Sequence, residues 1–472
     1  MQRKRTNIVC TIGPASSSPE MLRSLIESGM NVARISFSHG SHADHAQTIA
    51  HLKAVSKQLG VRIPILQDLS GPKMRIGKFS DEPIELFPNT KFTLTTREII
   101  GDLNTVSISY PALVADVKSG NHILLADGEI ELCVISTTST DIICEVIAGG
   151  MLRSNKGISV PDISLQTPIP TPKDVEDLRF GIDHGVDWVA QSFIRNAVDL
   201  QNLRSILEQH DSDIPIIAKL EKREALDDLD KIFTEADGVM VARGDLGLEV
   251  PLPEVPLIQK EIIKWANIVG KPVITATQML ESMIVNPRPT RAEVTDIANA
   301  ILDGTDALML SGETAIGKYP SDAVRTMAQV ATTTETTIDY VEYFKRQPIT
   351  LEESVPDAIA HAACHTSIEI GAKAIICCTR SGQTARLVAK YRPPAPIAVV
   401  SPYESTLRRA GLFWGAFPIS IEFAPDTDTM ITSAKQAVLK SGLAHVGDQV
   451  VIIAGIPADV PGTTNMIKAD IL

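Results

Sequence analysis

The sequence predicts an α/β protein built from a closed (β/α)8 TIM barrel, a small β-barrel domain inserted into it, and a C-terminal open α/β domain. Three observations lead to this prediction. Eight short apolar runs alternate with segments of helical periodicity in the first 313 residues. The interval between the third and fourth runs holds only short alternating stretches. Strand-like and helical segments then alternate again after about residue 340.

The barrel strands are predicted where short runs are rich in apolar and β-branched residues. Strands that alternate with helices run parallel and are joined by crossovers, and eight such units favour a closed barrel. The predicted strands are residues 8–13, 31–37, 63–69, 188–193, 215–221, 238–246, 272–279 and 307–313. The helices predicted between them include residues 19–28, 42–59, 197–208, 257–269 and 290–302.

The inserted domain is predicted between Leu69 and Thr167, an interval far too long for a single helix. Turn signals such as Asp127-Gly128 separate its short alternating runs. Because the insertion follows the third barrel strand, we expect it at the C-terminal face of the barrel, where it could close as a lid. Its predicted strands are residues 91–96, 106–110, 122–126, 130–136 and 141–148.

The C-terminal domain is predicted from the second alternation of strands and helices. Its predicted strands are residues 374–379, 397–401, 417–422 and 450–456, with helices at 356–370, 383–391 and 429–440. The predicted domains are a catalytic barrel of residues 1–69 and 168–340, a lid of residues 70–167 and a C-terminal domain of residues 341–472.

The composition excludes several classes of protein. The chain has 472 residues, of which 44% are hydrophobic and 21% are charged, as in ordinary globular proteins. A net charge of -13 argues against a nucleic-acid partner. No apolar window is long enough to span a bilayer, and the N-terminal apolar stretch is too short for a signal peptide, so we expect a cytoplasmic protein without a membrane partner. The six cysteines contain no CxxC pair, which favours buried free thiols.

Polar side chains end nearly every predicted barrel strand, and this is where active sites of such barrels lie. Any one of these residues alone could be structural, but a purely structural role for the whole set is improbable. The strand-end residues are Thr11, Arg34, Ser36, Ser38, His39, Asp68, Lys73, Arg75, Lys219, Glu221, Arg243, Asp245, Thr277, Ser311 and Glu313.

This set of residues predicts phosphoryl transfer. Glu221 and Asp245 end neighbouring strands and could share one magnesium ion through oxygen. Arg34, Arg75 and Lys219 carry the positive charge that phosphoryl oxygens require. Magnesium together with a lysine would also stabilise an enolate oxygen.

Several motifs make the sequence similar to the pyruvate kinase family. Residues 32–40 (VARISFSHG) resemble its A-R-(L/I)-N-F-S-H-G segment, and residues 68–75 (DLSGPKMR) resemble its D-x-x-G-P-(E/K)-I-R motif. Residues 217–221 (IAKLE) resemble its I-x-K-I-E strand. Three further family blocks resemble residues 240–247, 276–283 and 309–315. The blocks occur in the family's order along the whole chain, which makes the resemblance specific.

The resemblance implies transfer of a phosphoryl group from phosphoenolpyruvate to ADP, giving pyruvate and ATP, with Mg²⁺ as cofactor and Mn²⁺ as a substitute. It also implies a homotetramer. By position, Lys219 would hold the phosphoryl group in transit and stabilise the enolate, while Glu221 and Asp245 would bind the magnesium ion. The other implied substrate and nucleotide contacts are Arg34 and Arg75 for the phosphoryl group, Ser36, His39 and Lys173 for the nucleotide, and Gly244, Asp245 and Thr277 for the substrate carboxylate.

The sequence departs from potassium-dependent members of that family in the region of the monovalent cation. Ser36 stands where those members have Asn, and Lys73 stands where they have Glu. We therefore expect the Lys73 ammonium to replace potassium, so that K⁺ is not required; the alternative is a solvated loop lysine. The region concerned comprises Ser36, Ser38, Asp68, Leu69 and Lys73.

A loop in the C-terminal domain predicts a site for a phosphorylated allosteric effector, because hydroxyls and backbone N–H groups at a helix N-terminus bind phosphate. The loop consists of Thr379, Arg380, Ser381, Gly382, Gln383 and Thr384. It resembles the family's effector loop, and residues 455–465 resemble the neighbouring effector region. The alternative is a capped helix without a ligand.

Two other functions are possible for parts of this set of residues. A magnesium-dependent aldolase or lyase acting on a pyruvate enolate would need the same barrel and carboxylates, but neither the extra arginines nor the inserted lid. A metabolite sensor would need only the C-terminal phosphate loop. The set of Lys219, Glu221, Asp245 and Thr277 argues against a barrel without catalytic activity.

Overall fold

The computed structural model describes residues 4–161, 163, 167–346, 354–456 and 462–472. The chain begins with three barrel strands and two helices. Residues Ser18 and Ser41 cap the two helices by accepting backbone N–H groups, and Gly60 ends the second in the left-handed conformation. The elements are β1 (Asn7–Thr11), α1 (Pro19–Ser28), β2 (Val32–Ser36), α2 (His42–Leu59) and β3 (Ile65–Asp68).

The inserted segment forms a seven-stranded sheet and a two-stranded ribbon. Its elements are β4 (Met74–Arg75), β5 (Ile84–Leu86), β6 (Lys91–Thr95), β7 (Thr105–Ser107), α3 (Leu113–Asp116), β8 (His122–Leu125), β9 (Ile130–Thr137), β10 (Asp141–Ala148), β11 (Gly150–Leu152) and β12 (Gly157–Ser159). The larger sheet has the order β4-β12-β8-β9-β10-β6-β7. An Ile76–Ile108 bridge joins its two ends, and Gly77 N donates to Ser107 O over 2.8 Å. The sheet therefore curls into the small β-barrel predicted from the sequence.

The chain then returns to complete the main barrel. The elements are α4 (Pro172–Asp183), β13 (Trp188–Gln191), α5 (Ala197–Gln209), β14 (Ile216–Leu220), α6 (Arg223–Asp227), α7 (Leu229–Glu235), β15 (Gly238–Ala242), α8 (Arg243–Glu249), α9 (Val255–Val269), β16 (Val273–Ala276), α10 (Arg291–Asp303), β17 (Ala307–Leu310), α11 (Gly312–Ala315) and α12 (Pro320–Glu335). Short 3₁₀ turns at Leu252–Glu254 and Glu281–Ile284 lie between them.

The eight strands close in the order β1-β17-β16-β15-β14-β13-β3-β2, and every neighbouring pair is parallel. This confirms the predicted barrel. The predicted strand at residues 238–246 was too long, because β15 ends at Ala242 and Arg243 begins α8. Leu246 lies on the buried side of that helix, so its burial does not indicate a strand.

The C-terminal domain is a five-stranded sheet of order β20-β19-β18-β21-β22, in which only the last pair is antiparallel. Its elements are α13 (Tyr340–Arg346), α14 (Val355–Glu369), β18 (Ala374–Cys378), α15 (Gln383–Lys390), β19 (Ile397–Ser401), α16 (Glu404–Arg409), β20 (Ala416–Ser420), α17 (Thr427–Ser441), β21 (Gln449–Gly455) and β22 (Thr464–Ile471), with a 3₁₀ turn at Ala410–Leu412. Within the described residues, no helix combines the length and apolar character needed to cross a bilayer.

Candidate active site

The C-terminal ends of β3 and β14 bring one amine and two carboxylates together. Lys219 Nζ lies 2.8 Å from Glu221 Oε1 and 3.3 Å from Asp68 Oδ1. All three side chains are buried. Strand alternation explains the pairing on β14, because residues two apart point to the same side. The structure therefore brings Lys219 and Glu221 together and adds Asp68 to them.

The charges at this centre depend on one another. Burial opposes the charged form of Lys219, but Asp68 and then Glu221 raise the pKa of the amine above its ordinary value. Burial likewise opposes ionisation of Asp68, but Arg34 and Lys219 hold the pKa of this carboxyl below its usual range. At neutral pH the centre therefore contains a cationic amine beside an anionic Asp68.

Glu221 and Asp245 have the properties expected of magnesium ligands. Burial raises the pKa of Glu221; Lys219 opposes this effect and the Asp245 carboxylate adds to it. Glu221 Oε1 is buried, and the Lys219 ammonium lies 2.8 Å from it. A divalent cation bound by the carboxylate oxygens would relieve the repulsion between these two acids. Magnesium usually keeps water or substrate oxygens among its ligands, so two protein carboxylates would be enough to hold it.

Arg34 belongs to the same centre. Its Nε lies 2.6 Å from Asp68 Oδ2, and its Nη1 donates to Thr11 Oγ1 over 2.8 Å. Arg75 lies on β4 of the inserted domain, where its Nη1 donates to Asn155 O over 3.0 Å. Arg75 is nevertheless close enough to His39 to influence its titration. Arg34 thus lies at the buried centre beside Asp68, whereas Arg75 approaches the site from the inserted domain.

Thr277 follows β16 in a strained conformation. Its φ is 67° and that of Gln278 is 55°, values that non-glycine residues rarely adopt. Thr277 Oγ1 donates to Ala276 O over 2.6 Å and accepts from Gly244 N over 2.8 Å. The Gly244 N–H that the resemblance assigns to the substrate carboxylate is therefore engaged by Thr277 in this structure.

The residues assigned to the nucleotide line the segment after β2. Ser36 ends that strand and His39 is exposed just beyond it. Lys173, in the first turn of α4, donates to Phe37 O over 2.9 Å and to Asp177 Oδ2 over 2.5 Å. The structure brings these three residues to one rim of the barrel, although Lys173 is held by its own neighbours.

In the region assigned to a monovalent cation, Lys73 lies close to Asp245, one of the two residues assigned to magnesium. Lys73 Nζ lies 3.9 Å from Asp245 Oδ1, and both side chains are about 30% exposed. Asp68 and Leu69 end the third strand region beside Ser36, whose backbone pairs with Asp68. Ser38 is half-buried in the turn after β2. Lys73 therefore lies within ion-pair distance of Asp245.

Sequence reasoning missed the contribution of the fourth barrel strand. Lys219 Nζ donates to Ser192 Oγ over 2.7 Å, and Phe193 N donates to Glu221 Oε2 over 2.7 Å. Both residues directly follow β13. Applying the strand-end rule to this strand would have identified Ser192, whereas a backbone N–H donor leaves no signal in the sequence.

The predicted effector loop lies between β18 and α15. Gly382, with a φ of 91°, is the N-cap residue of α15, and Thr379 Oγ1 accepts its N–H over 3.0 Å. Thr406 Oγ1 donates to Arg380 O over 2.5 Å, and the Arg380 guanidinium lies over the Tyr403 ring. A cleft of about 680 Å³, open solvent included, is lined here by Thr379, Arg380, Ser381, Gln383, Thr384 and Tyr403. Residues 457–461 of the predicted effector region lie outside the described residues, and its last residues begin β22.

Fold and site together define a barrel enzyme with a cationic, carboxylate-rich centre suited to a phosphorylated anion. The chain matches the family described as "Pyruvate kinase, barrel domain" over residues 3–324 and "Pyruvate kinase, alpha/beta domain" over residues 357–469. It is 46% identical to the pyruvate kinase of Geobacillus stearothermophilus, covering 100% of this chain and 81% of that protein. It is 45% identical to that of Clostridium acetobutylicum, covering 99% and 100%.

A crystal structure of a pyruvate kinase from Cryptosporidium parvum superimposes with a TM-score of 0.91 at 36% identity, covering 99% of this chain and 96% of that one. The chain belongs to the pyruvate kinase family, and it is a phosphotransferase.

Proposed function

We propose that this enzyme transfers the phosphoryl group of phosphoenolpyruvate to ADP at the centre formed by Lys219, Glu221, Asp68 and Arg34. The observation that carries the proposal is the buried Lys219 ammonium beside Asp68 and Glu221 at the C-terminal rim of the barrel. Phosphoryl transfer requires mainly positioning and stabilisation of charge, and a buried amine held by fixed partners supplies both.

Different residues would bind the phosphoryl group, the nucleotide and the substrate carboxylate. Lys219 binds the phosphoryl group and then donates a hydrogen bond to the enolate oxygen of pyruvate. Arg34 and Arg75 orient the phosphoryl oxygens, with Ser36, His39 and Lys173 toward the nucleotide. Asp245 N–H, Gly244 N–H and the Thr277 hydroxyl orient the carboxylate, and the Gly244 N–H must leave Thr277 to do so.

Glu221 and Asp245 would hold Mg²⁺, or Mn²⁺ in its place. The chemistry that the bound ion supplies is neutralisation of charge on phosphoryl and enolate oxygens. Thr277 lies near the face where the enolpyruvate carbon is protonated, and its hydroxyl would order a water there. Its own pKa is too high for it to act as the acid.

Substitution of Lys219 by Met tests the proposal. We expect kcat to fall by about 10³-fold or more, because the amine stabilises charge that develops in the transition state. Magnesium binding, followed by calorimetry, should persist because Glu221 and Asp245 remain. The assay couples pyruvate formation from phosphoenolpyruvate and ADP to lactate dehydrogenase, and an enolate lyase would give no ADP-dependent signal. Wild-type turnover in K219M would remove Lys219 from the mechanism.

We also propose that Lys73 takes the place of potassium. Its ammonium lies at the edge of the site, 3.9 Å from Asp245, where a fixed positive charge can act on the same anions as a bound cation. Turnover in tetramethylammonium buffer free of sodium and potassium should equal turnover after potassium is added. A large activation by potassium would refute this role.

The cleft at Thr379–Thr384 is proposed to bind a phosphorylated effector, through hydroxyls, backbone N–H groups at the start of α15 and the Arg380 guanidinium. Sugar phosphates and AMP, added at low phosphoenolpyruvate concentration, should change the rate. An unchanged rate with all of them would favour a capped helix without a ligand.

The remaining proposals concern organisation. We propose the division into residues 1–69 with 168–340, 70–167 and 341–472, a homotetrameric assembly and a cytoplasmic location. Exposed apolar side chains on and beside α9, among them Leu257 and Trp265, offer a surface for self-association. Sedimentation at several protein concentrations measures the assembly, and a monomer throughout would contradict it.

A further inference from the structure

Ser192 occupies the turn that follows β13, and its side chain is buried beside Lys219. Its hydroxyl donates to Leu69 O over 2.7 Å, with Asp68 Oδ1 at 3.3 Å, and accepts from Lys219 Nζ over 2.7 Å. Only 2% of the residue is exposed. Ser192 therefore connects the ends of three neighbouring barrel strands, β3, β13 and β14.

The direction of these hydrogen bonds is fixed by chemistry. A carbonyl oxygen only accepts and an ammonium only donates, so the single hydroxyl hydrogen of Ser192 must go to the third strand. The lone pairs of the oxygen are then left for Lys219. The hydroxyl cannot rotate to another partner without leaving the Leu69 carbonyl, and it is consequently a fixed acceptor for the amine.

Among the contacts of the Lys219 ammonium, the one to Ser192 differs from those to the carboxylates. Ser192 Oγ is an uncharged acceptor 2.7 Å from Lys219 Nζ, whereas Glu221 Oε1 at 2.8 Å and Asp68 Oδ1 at 3.3 Å belong to carboxyl groups. Asp68 is shared with Arg34. The carboxylates thus set the charge of the amine, while the neutral hydroxyl sets its direction.

The turn that carries Ser192 is itself held rigidly. Phe193 has φ of 59°, an uncommon value for a bulky residue, and its N–H donates to Glu221. The loop after β3 packs against the turn at Gly71, where an added Cβ would lie 2.8 Å from the Phe193 ring and 3.1 Å from Ser192 Cβ. The Ser192 hydroxyl therefore cannot move far.

We propose that Ser192 is a positioning residue, whose hydroxyl aims the Lys219 amine at the reacting oxygens without touching substrate itself. This inference rests on the proposed role of Lys219. Its consequence is kinetic, because a small misplacement of a group that acts in the transition state can lower the rate by up to about 10²-fold. Loss of positioning should lower kcat more than it changes the KM for phosphoenolpyruvate.

The test compares Ser192→Ala with Ser192→Thr, which keeps the hydroxyl, and with K219M. We expect S192A to lower kcat by about 10- to 100-fold with KM for phosphoenolpyruvate within about threefold of wild type. S192T should recover most of the rate. Exchange of pyruvate methyl protons with D₂O, followed by NMR, should slow in S192A as well, because this reaction passes through the same enolate. Ser367→Ala removes an equally buried hydroxyl in α14 and should keep wild-type kcat.

The results for the Ser192 variants and for K219M distinguish a wrong role for Ser192 from a wrong role for Lys219. Wild-type kcat in S192A, with K219M inactive, would overturn the role of Ser192 alone. An S192T variant as slow as S192A, at equal melting temperature, would overturn it too, because the hydroxyl would not be the group that matters. Activity in K219M would instead overturn the role of Lys219 and, with it, this inference.

Discussion

At the scale of single residues, the site keeps positive charge where phosphoryl oxygens must bind, and this affects the titration of its neighbours. His39 lies beyond β2 near three such cations. Partial burial lowers the pKa of its imidazole below 6.5, and Arg75, Lys73 and Arg34 lower it further. The imidazole is therefore neutral at pH 7 and would meet a nucleotide as a hydrogen-bonding group rather than as a cation.

We expect the His39 imidazole to titrate below pH 6.5 and the midpoint to rise toward 6.5 when Arg75 is replaced by Gln, since Arg75 is the largest of the three charge effects. The folded-state pKa is lower than that of the unfolded chain, so this group stabilises the unfolded state as the pH falls through 6.5. NMR of the ring protons, assigned with H39Q, measures the midpoint. Arg97→Gln, in the inserted domain, should leave it unchanged; a His39 midpoint above 6.5 in the wild type would contradict the prediction.

At the scale of elements, α8 and the end of β16 are locked together by Arg243. Its Nη2 donates to Thr277 O over 2.7 Å and to Gln278 O over 3.2 Å, and its Nη1 lies 2.7 Å from Asp296 Oδ2. The guanidinium thereby holds two residues in the left-handed region, whose strain must be stabilised by surrounding contacts. Thr277 can keep its place at the site only while these contacts persist.

Replacing Arg243 by Lys should lower kcat by about 10- to 100-fold, because an ammonium cannot make the forked contacts to both carbonyls and the Thr277 hydroxyl would shift. Steady-state kinetics measures the effect. The matched control is Arg204→Lys, an arginine that also binds a carboxylate, Asp237, and a backbone carbonyl, Glu235 O, but away from Lys219 and Thr277. A wild-type kcat in R243K would show that the position of Thr277 does not depend on the Arg243 contacts to Thr277 O and Gln278 O.

The elements themselves were largely predictable, because apolar runs bounded by turns mark buried parallel strands wherever they are long enough. Four short strands were not predicted: β4 has two residues, and β5, β11 and β12 have three each, too few to show a period. Strand β22 escaped because its side chains are mostly half-exposed or exposed and its sequence, TNMIKADI, lacks a clear alternation. Its first residues had been assigned to the effector region.

Within the site, residue types and strand ends were predictable, whereas the direction of individual hydrogen bonds was not. The sequence places Gly244 and Thr277 in separate blocks and gives no sign that the N–H of one donates to the hydroxyl of the other. The same applies to Phe193, whose backbone conformation aims its N–H at Glu221. Such contacts depend on φ and ψ at the strand ends, which tertiary packing decides.

At the scale of the whole molecule, two aspartates connect the N-terminal end of the barrel, where they precede β13 and β17, to the C-terminal domain. Asp187 accepts Ile65 N and pairs with Arg408 over 2.7 Å. Asp306 accepts Val273 N and pairs with Arg392 over 2.9 Å. Each carboxylate thus serves a barrel strand with one oxygen and an arginine of the C-terminal domain with the other, which couples the two parts through buried charge.

The Arg392–Asp306 pair is the more deeply buried, with 3% and 7% of the side chains exposed. Burial raises the pKa of Asp306 and Arg392 opposes the rise, so removing the cation leaves an uncompensated carboxylate. Arg392→Met should therefore lower the free energy of unfolding by about 3 kcal/mol or more. Urea unfolding followed by tryptophan fluorescence reports this interface, because the Arg392 guanidinium lies 4.8 Å from the Trp414 ring.

The double variant Arg392→Met with Asp306→Asn decides whether the loss arises from the stranded charge. The amide oxygen of Asn can still accept Val273 N–H, while the buried negative charge is gone, so the double variant should be more stable than R392M alone. Because the two residues are in contact, the double variant should lose less unfolding free energy than the sum of the losses in the two single variants. A double variant no more stable than R392M would show that the arginine stabilises the interface through its bonds to Gly304 O and Asn267 Oδ1 instead.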